Sequence, residues 1–504
     1  MATVMQDASY LLERTDAARQ ALCKNLPKME KHGQYFTSMP VASLMASMMD
    51  YPQRDIRILD PGAGVGSLFT ACVQRICGMG RRPDSIQVVA YEIDDRFCAD
   101  IDGSLKNARD ACRSLGIKFT GDLVNGDFIR DYAGSSDVLS GGFTHVIMNP
   151  PYKKINVSSH TYGRLLRVGL QTTNMYSAFI AISRNLLDSC GQMTFISPRS
   201  FCNGTYFYPF RRDLLESVSL RQIHLFGSRT QAFSDYGVLQ ENVILSTKRN
   251  GTNREITVSS SSGPSEAITR RRVRKSDVVF DEDPLMFIHI VADEDGARIS
   301  RDMRALPCTL ADLGMDVSTG KVVDFRISGE LRFSDEKGAV PLIRPLNIAD
   351  GITRFPVEHK KHCNFIMANK RSRKLLVDNG SYVLVKRFTT VEQRKRVTAS
   401  VWTPDEYGAD LVGFENRINY FHSGGAGLPT NIARGLWVFL NSSPVDAYFR
   451  QFNGSTQVNA ADLRYLRYPT RRQLAALGRS AQPGAGQDRI DGLVEGLLSR
   501  QVDT

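Results

Sequence analysis

Between residues 55 and 250 the chain alternates short apolar, β-branched runs with stretches whose apolar residues recur at helical spacing. Runs at 56–59, 88–91, 144–148, 193–196 and 243–246 predict strands, and 67–77 and 178–187 predict two of the helices between them. Strands that alternate with helices predict a doubly wound, mostly parallel sheet. Upstream, Leu11, Leu12, Ala18, Ala21, Leu22 and Leu26 predict a helical segment over 1–30. The run SSSSGPS at 259–265 reads as a linker by composition, which sets a first α/β domain at 31–258. A second domain of mixed character is expected over 266–478, then a tail over 479–504 with a short amphipathic helix. We see no internal repeat.

Composition narrows the class. No run of about 18 apolar residues occurs, which argues against a membrane span, and the acidic start lacks the apolar stretch of a signal peptide. The nine cysteines are scattered, with no CxxC pair and no histidine cluster beside them. They read as reduced cytosolic thiols, with no metal site and no disulfide framework. The net charge is +11, and pI about 9.2. A basic balance favours a polyanionic partner, since each Lys or Arg placed on a phosphate releases a condensed counterion.

The strand at 56–59 runs into Asp60-Pro61-Gly62-Ala63-Gly64-Val65-Gly66 and then a helix. Such a turn lets backbone approach a ligand closely and aims helix N–H groups at it. An acid at the strand tip suits a cationic ammonium better than a pyrophosphate. The second strand ends in Tyr91-Glu92-Ile93-Asp94, where an acid commonly takes ribose hydroxyls. A helix N-terminal charge is the other reading of Glu92. Asp127 could accept from an adenine amino group with Phe128 against the ring; alone, the pair reads as a turn and a core aromatic.

The strongest signal is Asn149-Pro150-Pro151-Tyr152, directly after the strand at 144–148. Two prolines fix φ and remove two N–H donors, so this is a stiff loop at the carboxyl end of a strand, where open α/β sheets place ligands. The Asn149 side-chain oxygen and the Pro150 carbonyl are both acceptors. Held together they can take two hydrogen bonds from one –NH2 group, and Tyr152 offers a stacking face. That suits methyl transfer to a planar amine, whose lone pair is delocalised and whose attack develops positive charge. Fixed dipoles stabilise such charge. No strong base is needed, because the amine becomes acidic once methylated.

Asn149–Tyr152, the turn at 60–66 and His32-Gly33-Gln34-Tyr35-Phe36-Thr37 together resemble the motifs of gamma-class DNA adenine-N6 methyltransferases of Type II restriction–modification systems. The likeness extends to 173–179, to 197–201 and to Phe452-Asn453-Gly454-Ser455-Thr456-Gln457-Val458-Asn459. It implies a Rossmann-like, S-adenosylmethionine-dependent methyltransferase sheet with a C-terminal α+β DNA target-recognition domain. By resemblance, Thr37 and Asp60 face the methionine part of the cofactor, with Tyr35 nearby and Gly62 and Gly64 of the turn beside it. Glu92 holds its ribose, and Asp127 the adenine amino group, with Ile93 and Phe128 flanking the ring. Asn149 and Pro150 grip the target amine and Tyr152 stacks on the flipped base, with Phe233 the candidate for its other face. The chain departs from the usual Thr-Pro opening, having Thr37-Ser38-Met39-Pro40.

A flipped base costs a few kcal/mol, which contacts to phosphates and grooves have to offset. Basic clusters at 270–275, 360–374 and 386–396, with aromatics interleaved, suit that need. Lys321, Lys386, Arg387, Gln457 and Asn459 are the expected DNA-binding residues. The resemblance implies double-stranded DNA as partner and a bacterial cytoplasmic location, and it allows for a separately encoded restriction endonuclease of the same specificity. About 30 residues precede the first motif and no carboxylate–lysine cluster follows, so methylation without cleavage is expected. Three other readings stay open: transfer to a protein glutamine, transfer to RNA adenine, or a non-catalytic DNA-binding protein that keeps the fold.

Overall fold

The computed structural model describes residues 11, 13–17, 19–20, 36–134, 137–227, 241–389 and 392–502. The chain divides into two compact units, 1–202 with 206–292 and 203–205 with 293–504. Of the N-terminal segment 1–30, the described residues between 11 and 20 are helical; the rest lies outside the described residues.

The first unit is built on one nine-stranded sheet. Its strands are β1 (Asp55–Pro61), β2 (Ser85–Glu92), β3 (Lys118–Asn125), β4 (Phe143–Met148), β5 (Leu187–Pro198), β6 (Val218–Phe226), β7 (Asn242–Arg249), β8 (Glu255–Ser261) and β9 (Thr269–Arg274). The order is β3-β2-β1-β4-β5-β7-β6-β8-β9. The neighbours β3–β2, β2–β1, β1–β4, β4–β5 and β6–β8 run parallel; β5–β7, β7–β6 and β8–β9 run antiparallel. Strands buried on both faces read as continuous apolar runs, which is why β4, buried at every position, is visible in sequence. β3 alternates in exposure and carries Gly121 and Asp122, so it offers no such run.

Helices α1 (Met39–Ser47), α2 (Ser67–Cys77), α3 (Cys98–Ser114), α4 (Phe128–Ala133), α5 (His160–Arg167), α6 (Met175–Leu186) and α7 (Tyr208–Ser217) complete this unit. From β1 the chain winds outward through β2 and β3, then returns to place β4 on the other side of β1. That reversal opens a crevice at the carboxyl ends of β1 and β4, where ligands of open sheets sit.

The linker expected at 259–265 is instead the end of β8 and its turn into β9, so the first unit runs to Ala292 rather than to 258. Serine-rich composition suggested a loop, but Ser259 and Ser261 are buried and bond His224 across the sheet. The basic run 270–274 therefore lies on an edge strand of the catalytic sheet, not in the C-terminal domain. Charge on an edge strand also blocks pairing with other chains.

The second unit is α+β. It holds a six-stranded sheet, which includes Asp316–Thr319, Tyr382–Lys386, Ala399–Trp402 and Ile418–His422, and a five-stranded sheet. Helices α8 (Glu294–Arg304), α9 (Thr430–Leu440), α10 (Ser443–Phe452), α11 (Ala460–Tyr465), α12 (Arg471–Ser480) and α13 (Gln487–Val502) accompany them. The last is the expected terminal helix. Among the described residues no helix is long and apolar enough to cross a membrane, and no group of His, Cys, Asp or Glu could hold a metal ion.

Candidate active site

The crevice contains a cavity of about 260 Å³ whose walls include Thr37, Gly62, Gly64, Glu92, Ile93, Asp127, Phe128, Asn149 and Pro151. Nine positions singled out in sequence, spread over more than a hundred residues, thus meet in one hollow.

The glycine turn forms its floor. Gly62 and Ala63 both donate to the Tyr91 carbonyl at 2.8 Å, which ties β1 to the tip of β2. Gly64 has φ +60, and a Cβ there would lie 2.9 Å from the Phe36 ring. Only glycine meets both demands without strain. Across the turn Glu92 accepts from the Gly64 N–H and the Asp94 N–H, each at 2.9 Å. Burial pushes the Glu92 carboxyl upward, opposed by these backbone donors. Its neighbour Ile93 is 65% exposed although apolar, an uncovered hydrophobic face on the cavity wall.

Asp127 serves two purposes. Its Oδ1 accepts from the N–H groups of Ile129 and Arg130 at 3.0 and 3.1 Å, capping α4, while the side chain also borders the cavity. Phe128 packs against Tyr91 and Phe179 with centroids 5.4 and 5.1 Å apart. The turn-and-core reading is realised, and both residues also border the cavity.

Asp60 departs from expectation. It is fully buried under the start of α2, accepts from the Phe69 N–H at 3.3 Å, and is not among the cavity-lining residues. Its Oδ1 has no hydrogen-bond partner among the described residues. Burial raises its pKa to about 8, and the nearby Glu92 adds to the rise. Direct contact with a ligand at the cavity surface is therefore not its position; it lies one layer below.

Asn149 opens onto the cavity from the end of β4, and its Nδ2 donates to Thr37 Oγ1 at 3.2 Å. Pro150 is buried and Pro151 borders the cavity. Tyr152 is half-buried, its hydroxyl donating to the Ile196 carbonyl at 3.4 Å and its ring edge-on to Tyr176 at 6.4 Å. Tyr35 and Phe233 lie outside the described residues.

Sequence reasoning missed Phe36, Lys153, Thr161, Met175 and Phe179 as cavity walls. Lys153 directly follows the proline loop, and Met175 and Phe179 belong to the 173–179 stretch noted for its likeness, so position alone was a usable signal.

In the second unit Arg387 and Gln457 come together. Arg387 donates to Gln457 Oε1 at 3.1 Å, and Val458 N–H donates to the Arg387 carbonyl at 2.7 Å. Lys386 ends a strand half-buried, with its pKa lowered by burial, and Lys321 is exposed. Asn459 has a structural role, because it forms the capping box of α11 together with Asp462. Nor is the whole basic run to 396 a surface. Arg396 is fully buried, bonding the Thr389 and Ser455 carbonyls and Asn453 Oδ1, so it braces the two loops that carry Arg387 and Gln457.

Sheet order, glycine turn, acidic strand tip and Asn-Pro-Pro-Tyr loop together define a methyltransferase. The family described as Eco57I restriction-modification methylase matches residues 106–233. The chain is 39% identical over 492 residues to the Type II methyltransferase M.PstI of Providencia stuartii, covering 96% of each. It is 36% identical over 502 residues to the Type II methyltransferase M.BsuBI of Bacillus subtilis, covering 97% of this chain and 98% of that one. The structure of the Type IIL restriction-modification enzyme MmeI in complex with DNA shares the fold at a TM-score of 0.51 and 12% identity, over 99% of this chain and 75% of that one. The chain belongs to the Type II methyltransferase family.

Proposed function

We propose that this enzyme methylates the exocyclic N6 of adenine in double-stranded DNA, with S-adenosylmethionine as donor, as the modification half of a bacterial restriction–modification system. The observation that carries the reading is Asn149, bonded to Thr37 on the wall of the same cavity that Glu92, Ile93, Asp127 and Phe128 line.

The wall chemistry fits an adenosyl group. A carboxylate at the β2 tip suits vicinal ribose hydroxyls, Ile93 and Phe128 offer apolar faces for a purine ring, and the Asp127 carboxylate suits an amino group. When bound there, S-adenosylmethionine supplies an electrophilic methyl. The chain's own residues prepare the nucleophile. The Asn149 oxygen and the Pro150 carbonyl accept from the two N–H bonds of the target amine, drawing the nitrogen from planarity and stabilising the positive charge that grows on it. Thr37 orients Asn149 for this role, and the prolines keep the loop from relaxing. Tyr152 provides the ring for the extruded base.

Arg387, Gln457, Lys386 and Lys321 are the proposed DNA contacts of the second unit, and a separately encoded endonuclease of the same specificity is the implied partner in the bacterial cytoplasm. Unmethylated phage DNA incubated with the protein and S-adenosylmethionine, then digested to nucleosides for mass spectrometry, tests the reaction. N6-methyldeoxyadenosine from DNA and none from RNA is the expected result. Product on RNA or on a protein glutamine alone refutes it.

A further inference from the structure

In the second unit, the segment 320–327 presents Phe325 at 80% exposure, the highest of any large hydrophobic side chain among the described residues. The backbone beneath it is pinned. Gly320 N–H donates to the Ile418 carbonyl at 2.8 Å, and a Cβ on Gly320 would collide with the Glu415 carbonyl, so the chain there runs backbone against backbone. Val322 N–H donates to the Phe414 carbonyl at 3.1 Å, and the Asn416 N–H returns to the Val322 carbonyl at 2.9 Å.

The next fixture is Asp324, which accepts from Arg344 at 2.6 Å. Arg344 is 1% exposed and also donates to the Cys363 carbonyl at 2.7 Å. Ile327 closes the segment by burying its side chain. With Val322 and Ile327 both drawn into the core, the tip residue Phe325 has nowhere to go but out.

A cation stands against the ring. The Arg326 guanidinium stands over it, 5.5 Å from the centroid, and Lys321 is exposed. The adjacent carboxylate, Asp324, is already engaged by Arg344. An exposed aromatic ring with a guanidinium against it, on a backbone pinned at both ends, suits a base stack between phosphates. Every base has a face on which an aromatic can stack, and apolar side chains inserted at base steps unstack and kink the duplex. A flexible loop would forfeit much of that gain in ordering; this one is ordered beforehand.

We propose that Phe325 is a wedge that enters the base stack of the DNA substrate, with Lys321 and Arg326 taking the flanking phosphates. The inference rests on the DNA reading above and deepens it, because it assigns a deforming residue to the second unit.

The test uses the full chain and a duplex carrying the methylated site, once that site is mapped. 2-Aminopurine is stepped along the duplex, and affinity is followed by anisotropy at several salt concentrations. Wild-type protein is expected to brighten the probe at the methylated adenine and at a second step. Phe325→Ala should remove the second signal, weaken binding about tenfold, and leave the melting temperature unchanged, since the side chain is exposed. Phe325→Trp should retain the signal. Lys321→Ala and Arg326→Ala should each lower the salt slope by about one. A Phe325→Ala protein that matches wild type in affinity and probe profile overturns the proposal. So does one that alters only sedimentation, which would place Phe325 in a protein contact. Wild-type protein that neither binds nor methylates DNA fails the underlying reading instead, a separate outcome.

Discussion

Replacing Asp60 by Asn should flatten the pH dependence of folding in the ligand-free enzyme. The wild-type carboxyl is fully buried and its pKa rises from 3.8 to about 8. A folded-state value above the unfolded one means that the native chain holds a proton the unfolded chain has lost. Stability is therefore highest below pH 4 as far as this group is concerned, and falls as pH climbs toward 8. At about 1.36 kcal/mol per unit, the penalty reaches about 4 kcal/mol at pH 7. Asparagine has nearly the same shape, can still accept from the Phe69 N–H, and does not titrate. Its advantage over wild type should grow by about 4 kcal/mol between pH 5 and pH 8. Urea denaturation at each pH, followed by far-ultraviolet circular dichroism, reads this directly. Tryptophan fluorescence is unsuitable, because Trp402 and Trp437 both lie in the second unit. Wild-type and Asp60→Asn stabilities that run parallel across this range would show that the carboxyl is ionised in the folded chain and would refute the reasoning.

Four further outcomes follow from the geometry. Asn149→Ala removes one of the two acceptors for the amine and should lower the single-turnover methylation rate on DNA by about 10²–10³; a rate within about threefold of wild type would be inconsistent with the role given to it. Gly64→Ala puts a methyl 2.9 Å from the Phe36 ring at φ +60, so affinity for S-adenosylmethionine, measured by calorimetry, should fall by about tenfold or more. Arg396→Met leaves Asn453 and two loop carbonyls without their donor and should cost about 3 kcal/mol or more, seen in thermal melts. Arg387→Ala should leave the melting temperature in place and weaken DNA binding, read by anisotropy on a duplex.

How much of the site was legible depended on whether a residue's role is local. The Asn149–Tyr152 loop and the glycine turn announce themselves because proline and glycine restrict the backbone at their own positions. Glu92 and Asp127 were readable because each sits where a strand ends. Thr161 had no such mark; it is an ordinary residue until tertiary packing brings it to the cavity wall.

The sequence by itself determined the class of sheet, the order of its motifs and the stiff loop at the end of β4. These follow from backbone restriction and from apolar runs, which are properties of neighbours along the chain. Only the tertiary structure decided that the serine-rich run continues the first unit, because cross-strand bonds to His224 are long-range. It also decided that Asp60 lies beneath the cavity, that Asn459 caps a helix, and that Arg396 is buried bracing loops while Arg387 meets Gln457. Composition counts an arginine the same way in the core and on the surface; what separates the two is which carbonyls and side chains the fold brings around it.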